Sequence, residues 1–289
     1  MLTPISSVGL FVNCHKPEPV AMAGTLIRFL RSRGVTPVFT EAVADCVQDG
    51  AGGTDDEVLD ADLIVVLGGD GTALAAARSL CGRERAMLTV RFGSFGFLAE
   101  VEPDSIEPAL ERVLAGDYVI EKRPMLRAIR QRGGETTHDV VGLNDVALVR
   151  GQSPRLVKLE AEVNGEPLAI YSGDGVVVST ATGSTAYSLA AGGPIVHPTL
   201  DALLVTPICP HALHFRPLLI PPESALTMRI PGGGAPAQVS VDGQVTFDLE
   251  LGDVITVCQA ACHAHFVTLG ESSFYQKVRT RLRWGERLL

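Results

Sequence analysis

No apolar run in this sequence approaches the roughly 20 residues that an α-helix needs to cross a bilayer, so no membrane-spanning helix is expected. The first residues lack a basic segment followed by an apolar core. No secretory signal is therefore expected, and the cytoplasm is the default compartment. Positive charge is also scarce: 24 Lys and Arg stand against 33 Asp and Glu, a net charge of −9. This argues against generic binding to nucleic acid or to an anionic membrane, because both need a basic surface. An anionic ligand must instead be met by local glycine loops, helix ends or a metal. The six cysteines (Cys14, Cys46, Cys81, Cys209, Cys258 and Cys262) are scattered, and free thiols are expected. Cys258, Cys262, His263 and His265 could be read as a zinc site, but strand-like runs flank them and no second ligand pair has matching spacing. Internal repeats and low-complexity segments are missing as well.

What is present is a globular chain. At 289 residues and 46% hydrophobic content it can form one large domain or two ordinary ones. Its centre is Leu63-Ile64-Val65-Val66-Leu67-Gly68-Gly69-Asp70-Gly71-Thr72. Five apolar residues in a row predict a strand buried on both faces. The glycines allow a sharp turn and close approach to a ligand. Thr72 is expected to cap a helix over 73–80. Strand, glycine loop and helix start together form an anion cradle, with Gly68, Gly69, Gly71 and Thr72 as the phosphate-binding residues. Asp70 is the odd member, since a phosphate repels a carboxylate unless the carboxylate binds a metal or accepts a proton. The plainer alternative is that Asp70 only stabilises a turn. The loop does not carry the G-x-G-x-x-G fingerprint of dinucleotide hydride chemistry.

Around this centre, strands are predicted at 8–12, 36–39 and 87–91, with helices marked by Val20, Ala23, Ile27 and Leu30 and by Ile106, Ala109, Leu110, Val113 and Leu114. The segment 49–56, rich in glycine and acid, is expected to be a mobile surface loop. The turn Gly93-Ser94-Phe95-Gly96-Phe97-Leu98 either packs its aromatics into the core or walls a nucleotide pocket. Alternation of strands and helices argues for a doubly wound, Rossmann-like α/β domain over 1–120. Beyond it, short β-prone runs at 126–130, 140–149, 156–163, 175–179, 203–208, 226–230, 237–241, 254–257 and 266–269 predict a β-rich, sandwich-type domain over 121–268. A tail over 269–289 holds Lys277, Arg279, Arg281, Arg283, Trp284 and Arg287. It is expected to dock back on the first domain; a basic patch serving a nucleotide phosphate is the alternative.

A second constellation follows at Gly173-Asp174-Gly175-Val176-Val177-Val178-Ser179-Thr180-Ala181-Thr182-Gly183-Ser184-Thr185-Ala186-Tyr187. A strand ends there in a run of hydroxyls, and Ser184 or Thr185 is expected to cap a short helix over 186–191. Small hydroxyl residues at a helix start suit a polyol or phosphate. This stretch, continued through Gly193-Pro194-Ile195-Val196-His197-Pro198, resembles the NAD kinase family. So do Gly68-Gly69-Asp70-Gly71-Thr72, Leu143-Asn144-Asp145-Val146, Asp242-Gly243-Gln244 and the segment from Thr206-Pro207-Ile208-Cys209-Pro210-His211 to Pro217, all in the family's order.

The resemblance implies phosphorylation of the 2′-hydroxyl of the adenosine ribose of NAD to give NADP. Asp70 would be the general base, with Gly71 against the nucleotide. Asn144 and Asp145 would hold the ribose and base, and Asp174 would also contact NAD. Thr185, Ala186, Tyr187, Ser188 and Ala190 would line the adenine side, and Gln244 would complete the pocket. Arg155 and Ser172 are carried over at positions where family members vary. A homodimer or homotetramer is implied. Three departures stand out: Asp145 where the family usually has Glu, Arg91 where an Asn is usual, and Thr180-Ala181 in place of Thr-Pro. The chain has no Walker lysine, so neutralisation of the transferring phosphoryl falls to loop amides, nearby Arg or Lys and a divalent ion, Mg²⁺ being the expected one. The donor, ATP or polyphosphate, stays open. So do two rivals: a lipid or sugar kinase sharing the glycine signature, and a non-catalytic NADP(H)-binding sensor.

Overall fold

The computed structural model of the protein describes residues 4–93, 96–151, 155–232, 235–270 and 273–284. The chain divides into two compact units, Met1–Lys122 with Ala264–Leu289, and Arg123–His263. The second unit therefore ends at His263, and the returning segment begins before the expected position 269.

The first unit is α/β. Its elements run β1 (Ser7–Val12), α1 (Pro17–Ser32), β2 (Thr36–Val38), α2 (Glu41–Val47), α3 (Asp55–Leu59), β3 (Leu63–Gly68), α4 (Asp70–Ser79), β4 (Ala86–Arg91) and α5 (Ile106–Leu114). The strands pair in parallel in the order β2-β1-β3-β4. All six residues of β3 are buried, as a continuous apolar run between two helical layers requires. Ala23, Ile27 and Leu30 of α1 are buried in the same core as Leu63, Val65 and Leu67.

Two local expectations fail here. Helix α4 starts at Asp70, with an extended Gly69 at the N-cap and no side-chain cap, so Thr72 is not the cap. The apolar pattern shows only where a helix becomes buried, whereas the polar first turn is set by the backbone of Gly69. The segment 49–56 is not a loop throughout: α3 begins inside it on a full capping box, in which Glu57 N donates to Thr54 Oγ1 and Thr54 N to Glu57 Oε2. Gly53 N also donates to Phe39 O at 2.7 Å, which ties this stretch to the end of β2.

The second unit holds β5 (Val119–Arg132), β6 (Glu135–Gly142), β7 (Asp145–Arg150), β8 (Val157–Val163), β9 (Glu166–Gly173), β10 (Gly175–Ser179), α6 (Tyr187–Ala190), β11 (Leu203–Ile208), β12 (Leu218–Ile220), β13 (Leu226–Arg229), β14 (Ala237–Val241), β15 (Val245–Leu249) and most of β16 (Val254–Thr268). One sheet is antiparallel in the order β12-β11-β10-β7-β14-β15. The other includes β16-β13-β8-β9 and the β5–β6 hairpin. Alternate residues of both sheets, among them Val146, Leu148, Val176 and Val178 from one and Leu159, Met228 and Ile255 from the other, share one core. That is a β-sandwich. The expected strands at 254–257 and 266–269 are one continuous strand. Its last residues, His265 and Phe266, pair in parallel with Ala86 and Met87 of the first unit's β4. Helix α7 (Phe274–Arg281) follows, capped by Ser273.

The zinc reading fails on Cys262, which is disulfide-bonded and so cannot serve as a thiolate ligand. No group of three or more His, Cys, Asp or Glu that could hold an ion occurs among the described residues. Cys14, Cys46, Cys209 and Cys258 are free thiols. Cys81 and Cys262 are each disulfide-bonded, which corrects the expectation of free thiols for those two.

Gly9 lets α3 close on β1, since a Cβ there would stand 2.2 Å from Val58 O. Gly9→Ala is expected to destabilise the protein by about 2–3 kcal/mol. Chemical denaturation checks this, and an unchanged midpoint would mean that α3 does not sit against β1 as described.

Candidate functional site

Two clusters of polar groups stand out, one in each unit. In the first unit, Asp70 occupies the first turn of α4, directly after the buried strand β3. Its carboxylate is fixed by the turn that follows β4: Phe97 N donates to Oδ2 at 2.8 Å and Leu98 N to Oδ1 at 3.3 Å. Gly96 permits this contact, because a Cβ there would meet Asp70 Oδ1 at 2.6 Å. The expected turn is thus present in part; Ser94 and Phe95 lie outside the described residues. Burial raises the Asp70 pKa above the ordinary carboxylate value, while the Phe97 and Leu98 amides and the charges of Arg281 and Lys277 pull it back down. A carboxylate that is desolvated, held in place and shifted upward is a better proton acceptor than one in water.

The loop offers fewer amides to an anion than its sequence suggests. Gly68 is buried at the end of β3, and its carbonyl accepts from Phe92 N at 3.0 Å. Gly69 is the N-cap, and Gly71 and Thr72 lie within the first turn. The Thr72 amide is already committed to Gly69 O at 3.0 Å. Arg91, at the end of β4, is held by Glu102 through Nε–Oε2 at 2.8 Å and Nη2–Oε1 at 2.7 Å. Lys277 Nζ donates to Ala99 O at 3.1 Å and faces Glu100 Oε2 at 3.4 Å.

In the second unit the organising group is Asp242, in the turn between β14 and β15. Its carboxylate accepts from three successive amides: Leu143 N at 2.8 Å, Asn144 N at 2.8 Å and Asp145 N at 3.1 Å. The chain is thereby bent so that Asn144 and Asp145 stand at the start of β7. The end of β10 meets the same bend: Thr180 N donates to Asn144 O at 3.0 Å and Thr180 Oγ1 to Leu143 O at 2.7 Å. Gly183 then packs on Asn144, where a Cβ would lie 2.0 Å from the Asn144 carbonyl oxygen. Asn144, Asp145, Ser179, Thr180, Thr182, Gly183 and Tyr187 therefore form one assembly. Three buried polar atoms in it, Asn144 Oδ1, Ser179 Oγ and Thr182 Oγ1, have no hydrogen-bond partner among the described residues. Unsatisfied groups of this kind are uncommon in folded proteins, and a ribose or purine edge could supply their partners.

The remaining predicted residues are placed unevenly. Thr185 and Ala186 are half-buried, and Tyr187 is exposed at the start of α6. Helix α6 is preceded by a 3-10 turn, Thr182–Thr185, and its N-cap is Ala186. Neither Ser184 nor Thr185 caps it, because their hydroxyls are bonded elsewhere: Ser184 Oγ to Val196, and Thr185 Oγ1 to Thr182 O. Ser188 is fully buried and its hydroxyl pairs with Thr206 Oγ1 at 2.9 Å, so it supports α6 from behind. Ala190 is exposed. Asp174 faces Arg150 Nε at 3.2 Å, and its charge also acts on the Tyr187 hydroxyl. Ser172 lies on β9, Arg155 is exposed just before β8, and Gln244 is exposed in the β14–β15 turn. Asp242 was missed as a site residue. In the sequence it stands only within the motif Asp242-Gly243-Gln244, with no role of its own.

Asp145 and Asp242 lie close enough that their charges repel. Burial and that repulsion raise the Asp145 pKa from 3.8 to about 7, while the Tyr187 amide opposes the shift. A raised carboxyl favours the folded state below its unfolded pKa, and that benefit fades as pH climbs through the folded value. Wild type is therefore expected to lose up to about 4 kcal/mol between pH ~4 and ~7 relative to Asp145→Asn, which cannot ionise. Thermal unfolding of both across this range is the check; parallel curves would show that Asp145 titrates normally.

Two family models cover most of the chain: the ATP-NAD kinase N-terminal domain matches residues 8–118 and the ATP-NAD kinase C-terminal domain residues 143–269. An NAD kinase from Geobacter metallireducens is 41% identical over 284 residues, covering 98% of this chain and 100% of the relative. One from Heliobacterium modesticaldum is 42% identical over 280 residues, covering 96% and 99%. Among solved structures, yeast NADH kinase complexed with NADH superposes with a TM-score of 0.88 at 28% identity, over 99% of this chain and 91% of that one. The chain is a member of the NAD kinase family.

Proposed function

We propose that this protein transfers a phosphoryl group to the 2′-hydroxyl of the adenosine ribose of NAD, giving NADP, and that Asp70 is the base that receives the hydroxyl proton. Relatives named NAD kinase along the full length of the chain support the reaction. The observation that carries the assignment of Asp70 is its setting: a carboxylate at a helix start, held by two amides and raised in pKa by burial. A ribose hydroxyl is a poor nucleophile until its proton has an acceptor, and general-base help of this kind is worth roughly 10²–10⁴-fold. The larger share comes from alignment and from neutralising the phosphoryl oxygens.

Asn144 and Asp145 are the proposed NAD ribose and base contacts, with Asn144 Oδ1 and Thr182 Oγ1 as waiting partners. A protonated Asp145 could donate as well as accept. The family's description, ATP-NAD kinase, supports ATP as donor; inorganic polyphosphate presents similar oxygens and belongs to the same proposal. A divalent ion, Mg²⁺, would ride mainly on the donor phosphates, since the described residues gather no cage of three or more ligating side chains. Asp70 is the one carboxylate of the loop that could reach it. A cytoplasmic location and a homo-oligomeric state complete the reading; the oligomeric state rests on the family resemblance. No helix among the described residues is long and apolar enough to cross a membrane.

Asp70→Asn is expected to bind NAD normally and to lose a factor of about 10²–10⁴ in kcat. A coupled assay for NADP with NAD, Mg²⁺ and ATP, repeated with polyphosphate, reads this directly. Near-normal kcat in the variant would remove Asp70 from the role of base.

A further inference from the structure

We infer that Arg281, the last residue of α7, binds the phosphate chain of the phosphoryl donor. The inference rests on the phosphotransferase reading above and names a residue of this chain for a task that the glycine loop cannot complete alone. The loop has no lysine, and its Thr72 amide is spent on Gly69 O. The protein as a whole is strongly acidic, so cations at this place must be local.

Lys277 and Arg281 act on Asp70 and Arg91 acts on Arg281, and the three cations are not equivalent. Lys277 is held by Ala99 O and Glu100. Arg91 is held by Glu102 through two contacts. Arg281 differs: its Nε is buried and has no hydrogen-bond partner among the described residues. Its charge is felt by Asp70 and Glu102 and is opposed by Arg91, which places all four groups in one cluster within the first unit. A buried donor nitrogen without a partner, beside a second guanidinium, is a costly arrangement. A polyanion satisfies it on both counts, by accepting from Nε and by screening Arg91 from Arg281. Arg279 on the same helix is exposed and serves as the contrast. If the basic residues only complemented the end of the helix, the two arginines would matter equally.

The test is titration of the full-length protein with tripolyphosphate and, separately, with ATP, comparing wild type, Arg281→Gln and Arg279→Gln. Arg281→Gln is expected to weaken tripolyphosphate binding about tenfold or more. Arg279→Gln is expected to change it less than about twofold, as for a charge in water. NAD affinity and thermal midpoint should stay at the wild-type level in both. In turnover, Arg281→Gln should raise KM for the donor and leave KM for NAD unchanged. ATP binding more tightly than tripolyphosphate names a nucleoside triphosphate as the source of the chain; equal binding names inorganic polyphosphate. Equal loss in both variants, no loss in Arg281→Gln, or a joint fall of NAD affinity and thermal midpoint in Arg281→Gln would overturn the inference. A wild-type protein that binds tripolyphosphate through Arg281 yet forms no NADP would leave the anion site standing and remove the kinase reading instead.

Discussion

A carboxylate placed where phosphates must come is the constraint on which the first unit turns. Asp70 begins a helix, where the partial positive charge of the helix start favours an anion. It is also largely withdrawn from water, which disfavours its charge. The balance lies with burial, so its pKa is raised, and two amides together with the nearby cations keep it from rising further. Many details of the unit serve this one group. The fully buried strand β3 fixes the start of α4, and an extended Gly69 lets the helix begin at the acid itself. Gly96 leaves room for the backbone of the 96–98 turn to reach the carboxylate. Helix α7 brings Lys277 and Arg281 into the same electrostatic neighbourhood.

The second unit solves a related problem with two acids. Asp242 accepts from three successive amides, and its charge acts on Asp145. Asp145 has the Tyr187 amide and little else, and it stands near that anion in a buried place. The proton therefore settles on Asp145. One carboxylate thus shapes the backbone and the other is left poised near neutrality, a division that follows from their hydrogen bonds.

Much of this architecture is legible in the sequence, and the gaps have physical causes. The apolar run 63–67 could only be a strand buried on both faces. The short runs separated by glycine turns could only be a β domain. Gly133 and Gly134, both in left-handed conformations, close the hairpin between β5 and β6. What failed has local as well as distant causes. The start of α4 is decided by the backbone of Gly69, so the favourable cap residue Thr72 misleads. Helix α3 is too short to show apolar periodicity, and its evidence is a capping box that an acidic, glycine-rich composition conceals. Asp242 serves residues nearly a hundred positions earlier in the chain, a contact that its neighbours in sequence do not announce. The chemistry of Asp70 was readable as an oddity of charge; its raised pKa requires knowledge of what covers it.

The central claim is that Asp70 faces the hydroxyl that becomes phosphorylated. The most direct measurement is a crystal structure of this protein with NAD bound. The account predicts that the adenosine ribose 2′-oxygen lies within about 2.6–3.2 Å of an Asp70 carboxylate oxygen, or is joined to it through one water. A 2′-oxygen held away from Asp70, with another group accepting its proton, would contradict it.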